Sequence, residues 1–216
     1  MSSNDLASLE RYLDLVVAWS GRLRLTGART REDAARVLVA DGLDVLPALP
    51  AAGAIADLGS GAGIPGILIA LLHPSARVVL VEASRKKAGF LGIAVRELGL
   101  ANVEVACARA EQLGRDPAHR DRYDAVTARA VADLRVLAEY ALPLLRVGGI
   151  AVFPKGASAS RELAAAAHAL AVLGGVAAVR ATEFSRSSSI VVVRKAFATP
   201  AEYPRRPGLA ERRPIG

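Results

Sequence analysis

The sequence predicts an α/β fold: a mostly parallel sheet of seven strands with helices on both faces, preceded by an N-terminal helical extension. Three observations predict it. Short apolar runs alternate with segments of helical spacing between residues 54 and 173. A glycine-rich turn, DLGSGAGIPG over residues 57–66, follows the first of these runs. The last two apolar runs are separated by a loop and not by a helix, which allows them to pair as an antiparallel hairpin at the sheet edge.

The elements follow in order. Leu6, Leu9, Leu13, Val16 and Val17 recur at helical spacing, which predicts an amphipathic helix over 5–19. A second helix is expected over 31–46, with Thr30 as its N-cap and Pro47 and Pro50 ending it. AIADL (54–58) reads as the first strand, and Pro65 suits the first turn of the helix after the glycine loop. RVVLVE (77–82) is the second strand, and the segment 84–98 is a helix with Phe90, Leu91, Ala94, Val95 and Leu98 on one face. VEVACA (103–108), DAVTARA (124–130) and GIAVFPKG (149–156) are the next strands, with a helix over 133–145 between the last two. A helix over 161–173 and strands at 176–181 and 189–194 complete the series. The chain thus divides into a helical extension (1–50), a cofactor-binding domain (51–195) and a basic tail (196–216).

Composition narrows the function. The formal charge of +7 favours a polyanionic partner such as nucleic acid, although arginine enrichment from a GC-rich genome is an alternative source. The single cysteine, Cys107, rules out an internal disulfide and cysteine zinc clusters, and its apolar surroundings predict a buried thiol. His73, His119 and His168 show no metal-ligand spacing. The first residues carry acids in place of a signal peptide's basic-then-apolar order, and no stretch reads as a membrane span, so a cytoplasmic, monomeric protein is expected.

The glycine loop holds two fingerprints in overlapping register. Gly61, Gly63 and Gly66 spell the G-x-G-x-x-G of a dinucleotide site, whereas Gly59, Gly61 and Gly63 after Asp57 spell an S-adenosylmethionine site. Asp57 separates them. An acid there repels a pyrophosphate but accepts a cationic amine, directly or through water. Glu82, at the end of the second strand, suits ribose hydroxyls in either class. The methyl-donor register follows, with Gly66 left to helix packing.

Several stretches together resemble one family, the bacterial small-subunit ribosomal RNA guanine-N(7) methyltransferases (RsmG, or GidB). They are DLGSGAGIPG, ASRKKAGFLGIAVRELGLANVEV, CARAEQL, TARAVADL, ALPLLRVGG, FPKG and the tail YPRRPGLAERRPIG, in that order over residues 9–216. The resemblance implies a Rossmann-like methyltransferase fold, S-adenosyl-L-methionine as cofactor, and 16S ribosomal RNA or the 30S particle as partner. It places Gly59, Gly61, Gly63 and Ile64 around the donor's methionine end and ribose. Ala110 and Glu111 would border its adenine, and Arg129 would stand near the cofactor and substrate mouth. Lys155, Arg205 and Arg206 match basic positions for RNA, and Arg129 and Lys155 are the catalytic candidates. Each has a plainer reading: Glu111 as a solvated acid, Arg129 as an ion-pair partner of an acid such as Asp133, Lys155 as an exposed charge, and the tail arginines as a solvated end.

The chain departs from the family pattern at four positions. WSGRLRLT carries Ser20 and Arg24 where the pattern has asparagines; LVADGL carries Leu38 for a histidine and Gly42 for a serine, and keeps Asp41. These departures keep open a catalytically altered paralogue that binds ribosomal RNA; a small-molecule methyltransferase is the other alternative, which the basic tail opposes. For the guanine reaction no general base is needed, because the N7 lone pair is unprotonated at neutral pH and loses no proton on methylation.

Overall fold

The structure, a computed structural model, describes residues 3–28, 30–184 and 189–216. Seven strands form one sheet in the order β3-β2-β1-β4-β5-β7-β6. They are β1 (Gly53–Leu58), β2 (Ala76–Val81), β3 (Val103–Ala106), β4 (Tyr123–Ala128), β5 (Leu145–Lys155), β6 (Gly175–Ala181) and β7 (Ser189–Lys195). The first five run parallel, while β7 lies antiparallel between β5 and β6. The edge hairpin is therefore present; the loop expected between its strands includes residues 185–188, which lie outside the described residues. The inner strands are buried on both faces, Ile55 to Leu58 and Val78 to Val81 throughout. That is the burial a parallel sheet covered by helices requires.

The first helix, α1 (Ser3–Leu23), runs beyond the expected 5–19. Thr30 caps the second helical segment as expected, its Oγ1 accepting from the Asp33 amide at 3.1 Å. That segment is not one uniform helix. It passes from α2 (Arg31–Ala34) through a π turn (Ala35–Val39) into α3 (Ala40–Val45), then into a short 3-10 turn containing Pro47. The π turn carries Leu38, which is fully buried. Next come α4 (Gly66–Leu72), α5 (Arg85–Glu97, capped by Ser84) and α6 (Ala110–Arg115). Asp133 caps α7 (Leu134–Ala141). The single helix expected over 161–173 is two, α8 (Ala159–Ala165) and α9 (Ala167–Leu173), and the tail adds α10 (Leu209–Arg212).

Each face of the sheet has its own core. On one, Tyr12, Leu13 and Leu38 of the N-terminal helices bury against Ile55, Leu68 and Phe90. On the other, Leu137 of α7 and Leu170 of α9 pack with Tyr123 and Phe153, joined by Ala210 and Ile215 of the tail. Removing each such large apolar side chain from water contributes about 1.5–3 kcal/mol. The extension and the tail thus belong to the same two cores as the sheet, and packing does not divide the chain at 50 or 195. The tail is an ordered part of the molecule and not a solvated end. Arg120 holds it through three backbone carbonyls, those of Thr199, Pro200 and Tyr203, at 2.6–3.2 Å.

One expectation from the apolar run fails. Cys107 is exposed. Strand β3 is the sheet edge and ends at Ala106, so Cys107 already stands in the loop to α6. No helix among the described residues is long and apolar enough to cross a membrane.

Candidate active site

The glycine loop leaves the carboxyl end of β1, the position at which open α/β sheets bind ligands. Its glycines divide by geometry. Gly59, Gly61 and Gly63 have φ of 63°, 55° and 104°, the left-handed region in which a side chain is strained. Gly66 is different: it opens α4, and a Cβ there would run into the Leu80 side chain and stand 2.9 Å from Asp57 Oδ2. The first three glycines shape the loop, and the fourth lets α4 approach β2 closely. Of the first three, Gly59 lines the cavity beside the loop, and Gly61 and Gly63 do not.

Glu82 fixes the loop from the neighbouring strand. Its Oε2 accepts from the Gly61 amide at 3.0 Å and its Oε1 from the Ser84 amide at 2.8 Å. Gly59 and Glu82 line a cavity of about 140 Å³ together with Ala110, Glu111, Tyr140 and Glu211. The cavity lies below the roughly 300 Å³ usual for small-molecule sites. Val131 also lines it, and an added Cβ on Gly59 would stand 2.7 Å from Val131 Cγ2. A ligand of donor size therefore needs the segment carrying Val131 to yield. The chemistry of the lining fits the donor: a glycine of the loop, Gly59, a strand-end carboxylate for hydroxyls, and an apolar floor from Leu58 and Val81.

Asp57 does not present an oxygen to this cavity. It is buried, Oδ1 accepting from Thr127 Oγ1 at 3.0 Å and Oδ2 from the Gly66 amide at 3.3 Å. Burial pushes its pKa up to about 6, against the pull of those hydrogen bonds and of the Arg129 charge. The carboxylate ties β1 to β4 and to the start of α4. Ile64 is buried in the core beneath the loop and does not line the cavity.

Glu111 is not a solvated acid: it is 2% exposed, and its Oε1 accepts from the Gly208 amide at 2.8 Å. Tyr140 beside it donates to Glu211 Oε1 at 3.2 Å, and burial with these two carboxylates raises the phenol's pKa. The tail thereby forms one wall of the cavity. Sequence reasoning missed Tyr140 and Glu211, since both lie far along the chain from any glycine motif.

The basic residues assigned to RNA or catalysis are largely committed within the protein. Lys155 donates to Glu162 Oε2 at 2.7 Å and to the Ala132 carbonyl at 2.8 Å, and its side chain is 11% exposed. It bolts the end of β5 to α8, so its ammonium is neither an exposed loop charge nor turned outward toward phosphates. Burial works to raise the Glu162 carboxyl, but the hydrogen bonds from Lys155 and Ser158 outweigh it and leave the pKa lowered. Arg205 grips both oxygens of the buried Glu139 at 2.6–3.1 Å. Arg206 is the exposed one of the pair. Arg129 pairs with Asp41 at 3.1 Å, while Asp133 is taken by Arg135. The Nε of Arg129 is buried without a hydrogen-bond partner.

The departures from the family pattern also have places. Ser20 Oγ donates to the Val16 carbonyl within α1. Arg24 adopts φ 50°, a left-handed conformation that asparagine takes more readily. Gly42 lies where a Cβ would be 2.6 Å from Leu68 Cδ2, so a serine does not fit without a shift. No group of histidine, cysteine or carboxylate side chains among the described residues is arranged to hold a metal.

A sheet of this strand order, with a glycine loop after β1 and an acid closing β2, defines a Rossmann-like methyltransferase fold. Solved structures agree on the fold: fibrillarin from Aeropyrum pernix with natively bound S-adenosyl-L-methionine matches with a TM-score of 0.55 at 18% identity, over 72% of this chain and 73% of that one. An rRNA methylase from Streptococcus thermophilus matches with a TM-score of 0.52 at 17% identity, over 72% and 94% of the two chains. A family model described as rRNA small subunit methyltransferase G, or GidB, matches residues 5–190. Proteins named ribosomal RNA small subunit methyltransferase G are 42% identical in Chloroflexus aggregans, over all of this chain and 92% of the relative. In Rubrobacter xylanophilus the relative is 45% identical, over 99% and 85% of the two chains. The chain belongs to this methyltransferase family, and its cofactor is S-adenosylmethionine.

Proposed function

We propose that the protein transfers a methyl group from S-adenosylmethionine to the N7 of a guanine in 16S ribosomal RNA, acting in the cytoplasm as a monomer. The observation that carries this reading is the cavity at the carboxyl ends of β1 and β2, where Gly59, Glu82 and Ala110 meet in a chain that matches its relatives over nearly its whole length. When bound, the cofactor supplies an electrophilic methyl on a sulfonium. Glu82 would accept from its hydroxyls, and Gly59 would let the loop backbone approach it without a side chain. Because N7 gives up no proton, the protein's task is alignment of nucleophile and methyl, where orientation can supply roughly 7–11 kcal/mol. That matches a cavity with no histidine, cysteine or lysine in its lining. The guanine must come from an unpaired or splayed region, since the cavity lies inside the sheet's edge.

A second reading is a donor- and RNA-binding paralogue with altered catalysis. Leu38 and Gly42 motivate it, because apolar core stands where the family pattern has histidine and serine. Small subunits lacking the modification, incubated with labelled donor, separate the two. Label on guanine supports the transferase; donor binding without label supports the altered paralogue.

A further inference from the structure

The basic residues assigned to RNA from the sequence are mostly spent on internal ion pairs, yet the chain carries a net charge of +7. Several of the exposed cations without an ion pair lie at one end of two neighbouring helices. Helices α1 and α5 lie side by side and antiparallel: Arg11 pairs with Glu97 at 2.7 Å, and the Trp19 and Phe90 rings are 6.1 Å apart. At 1.5 Å per residue in both helices, the C-terminal end of α1 therefore comes level with the start of α5. That brings Arg22 and Arg24 beside Arg85, Lys86 and Lys87. Arg109, the N-cap of α6, leaves the same carboxyl edge of the sheet as the start of α5, because β2 and β3 are paired and both end there. Among the described residues none of the six is in an ion pair, and all but the half-buried Lys87 are exposed. The acids next in sequence to Arg85 and Arg109, Glu82 and Glu111, are buried and hold the amides of Gly61, Ser84 and Gly208.

We infer that this face, built from the end of α1, the start of α5 and the cap of α6, is the surface that grips the phosphate backbone of the substrate RNA beside the donor cavity. Three physical points select that occupant. Six like charges within one patch are held together only at a cost in repulsion, which a polyanion relieves. Arg109 lines the donor cavity as well as the patch, so a strand held there passes the mouth of the site. Guanidinium and ammonium groups at the ends of long side chains suit phosphates of irregular RNA, where contacts position the strand without reading its bases. The inference rests on the functional reading above and adds the binding face to it.

The test compares two variants of equal charge change by their binding to small subunits lacking the modification, across a salt series. One is Arg22→Gln with Arg85→Gln and Lys86→Gln. The other is Arg161→Gln with Arg180→Gln and Arg194→Gln, three exposed cations on α8, β6 and β7. The first is expected to lose roughly tenfold or more in affinity at physiological salt and to flatten the salt dependence by about 0.7–0.9 per lost contact. Its donor affinity, measured calorimetrically, should equal that of the wild type. The second should bind like the wild type. Equal binding by the first variant, or an equal loss in both, overturns the assignment of this face while the functional reading stands. A wild-type protein that shows no salt-dependent binding to the subunits overturns both.

Discussion

The backbone amide of Gly208 donates to the buried carboxylate of Glu111, 2.8 Å away and 97 residues earlier in the chain. Through this bond and the Tyr140–Glu211 bond the C-terminal tail is built into the wall of the donor cavity. A basic tail read only by its charge looks like an RNA arm. Its packing makes it a wall of the cavity beside the glycine loop.

Arg205→Ala should therefore act on stability and donor affinity together. It leaves the Glu139 carboxylate, 1% exposed, without its counter-ion. Breaking a buried pair in this way costs on the order of 3–5 kcal/mol, read as a lowered urea midpoint. Donor affinity should fall with it as the wall at Gly208 loosens. Arg206→Ala, exposed next door, should leave stability within about 0.5 kcal/mol. A soluble Arg205→Ala protein of wild-type stability would show that the tail is not clamped.

Gly66→Ala tests the division of the glycine loop. The new methyl would meet Leu80 and Asp57, so overpacking should cost about 1–3 kcal/mol. Denaturant titration of the variant against the wild type measures it. A neutral result would mean that α4 has room to retreat from β2.

Arg24→Asn should stabilise the protein by about 0.5–1 kcal/mol, because arginine at φ 50° bears the left-handed penalty that asparagine largely escapes. Thermal unfolding measures the gain. Unchanged or lowered stability would mean that the arginine side chain compensates its backbone.

The pKa of Asp57, raised by burial to about 6, gives stability a pH dependence of definite sign. Between roughly pH 4, where the unfolded carboxyl ionises, and pH 6 the folded protein holds a proton that the unfolded chain has released. Stability from this group is fully present below that window and falls as pH rises through it, by an amount on the order of 3 kcal/mol. In Asp57→Asn this fall should vanish, so the stability difference between variant and wild type changes across pH 4 to 6 and is flat above 7. A difference constant with pH would contradict the buried, neutral-favouring environment. Asp124 and Asp133 work oppositely: their lowered pKa values add stability above the unfolded value that is lost as pH falls.

The sheet was legible because each of its strands is a contiguous apolar run bounded by turn residues, and Glu82 because it closes such a run. The methyl-donor class was legible in sequence, but Asp57, the residue that pointed to it, braces the loop and does not line the cavity. What escaped reading depends on pairs distant in the chain. Nothing local marks Glu139 as the partner of Arg205, Glu162 as that of Lys155, or Asp121 as that of the fully buried Lys195. A cation's charge is visible in sequence, but whether it is spent internally is settled only by packing. The π turn at Ala35–Val39 was hidden for a related reason, since an i→i+5 turn keeps the apolar spacing of an ordinary helix closely enough to pass for one.

Methyl transfer to guanine N7 is read out by mass spectrometry of nucleosides. Small subunits lacking the modification would be incubated with the protein and S-adenosylmethionine, and their 16S RNA hydrolysed to nucleosides. The expected result is 7-methylguanosine appearing with the wild-type protein and donor together, and absent when either is left out. Methylation of another base or position, or none from a protein that binds the donor, would contradict it.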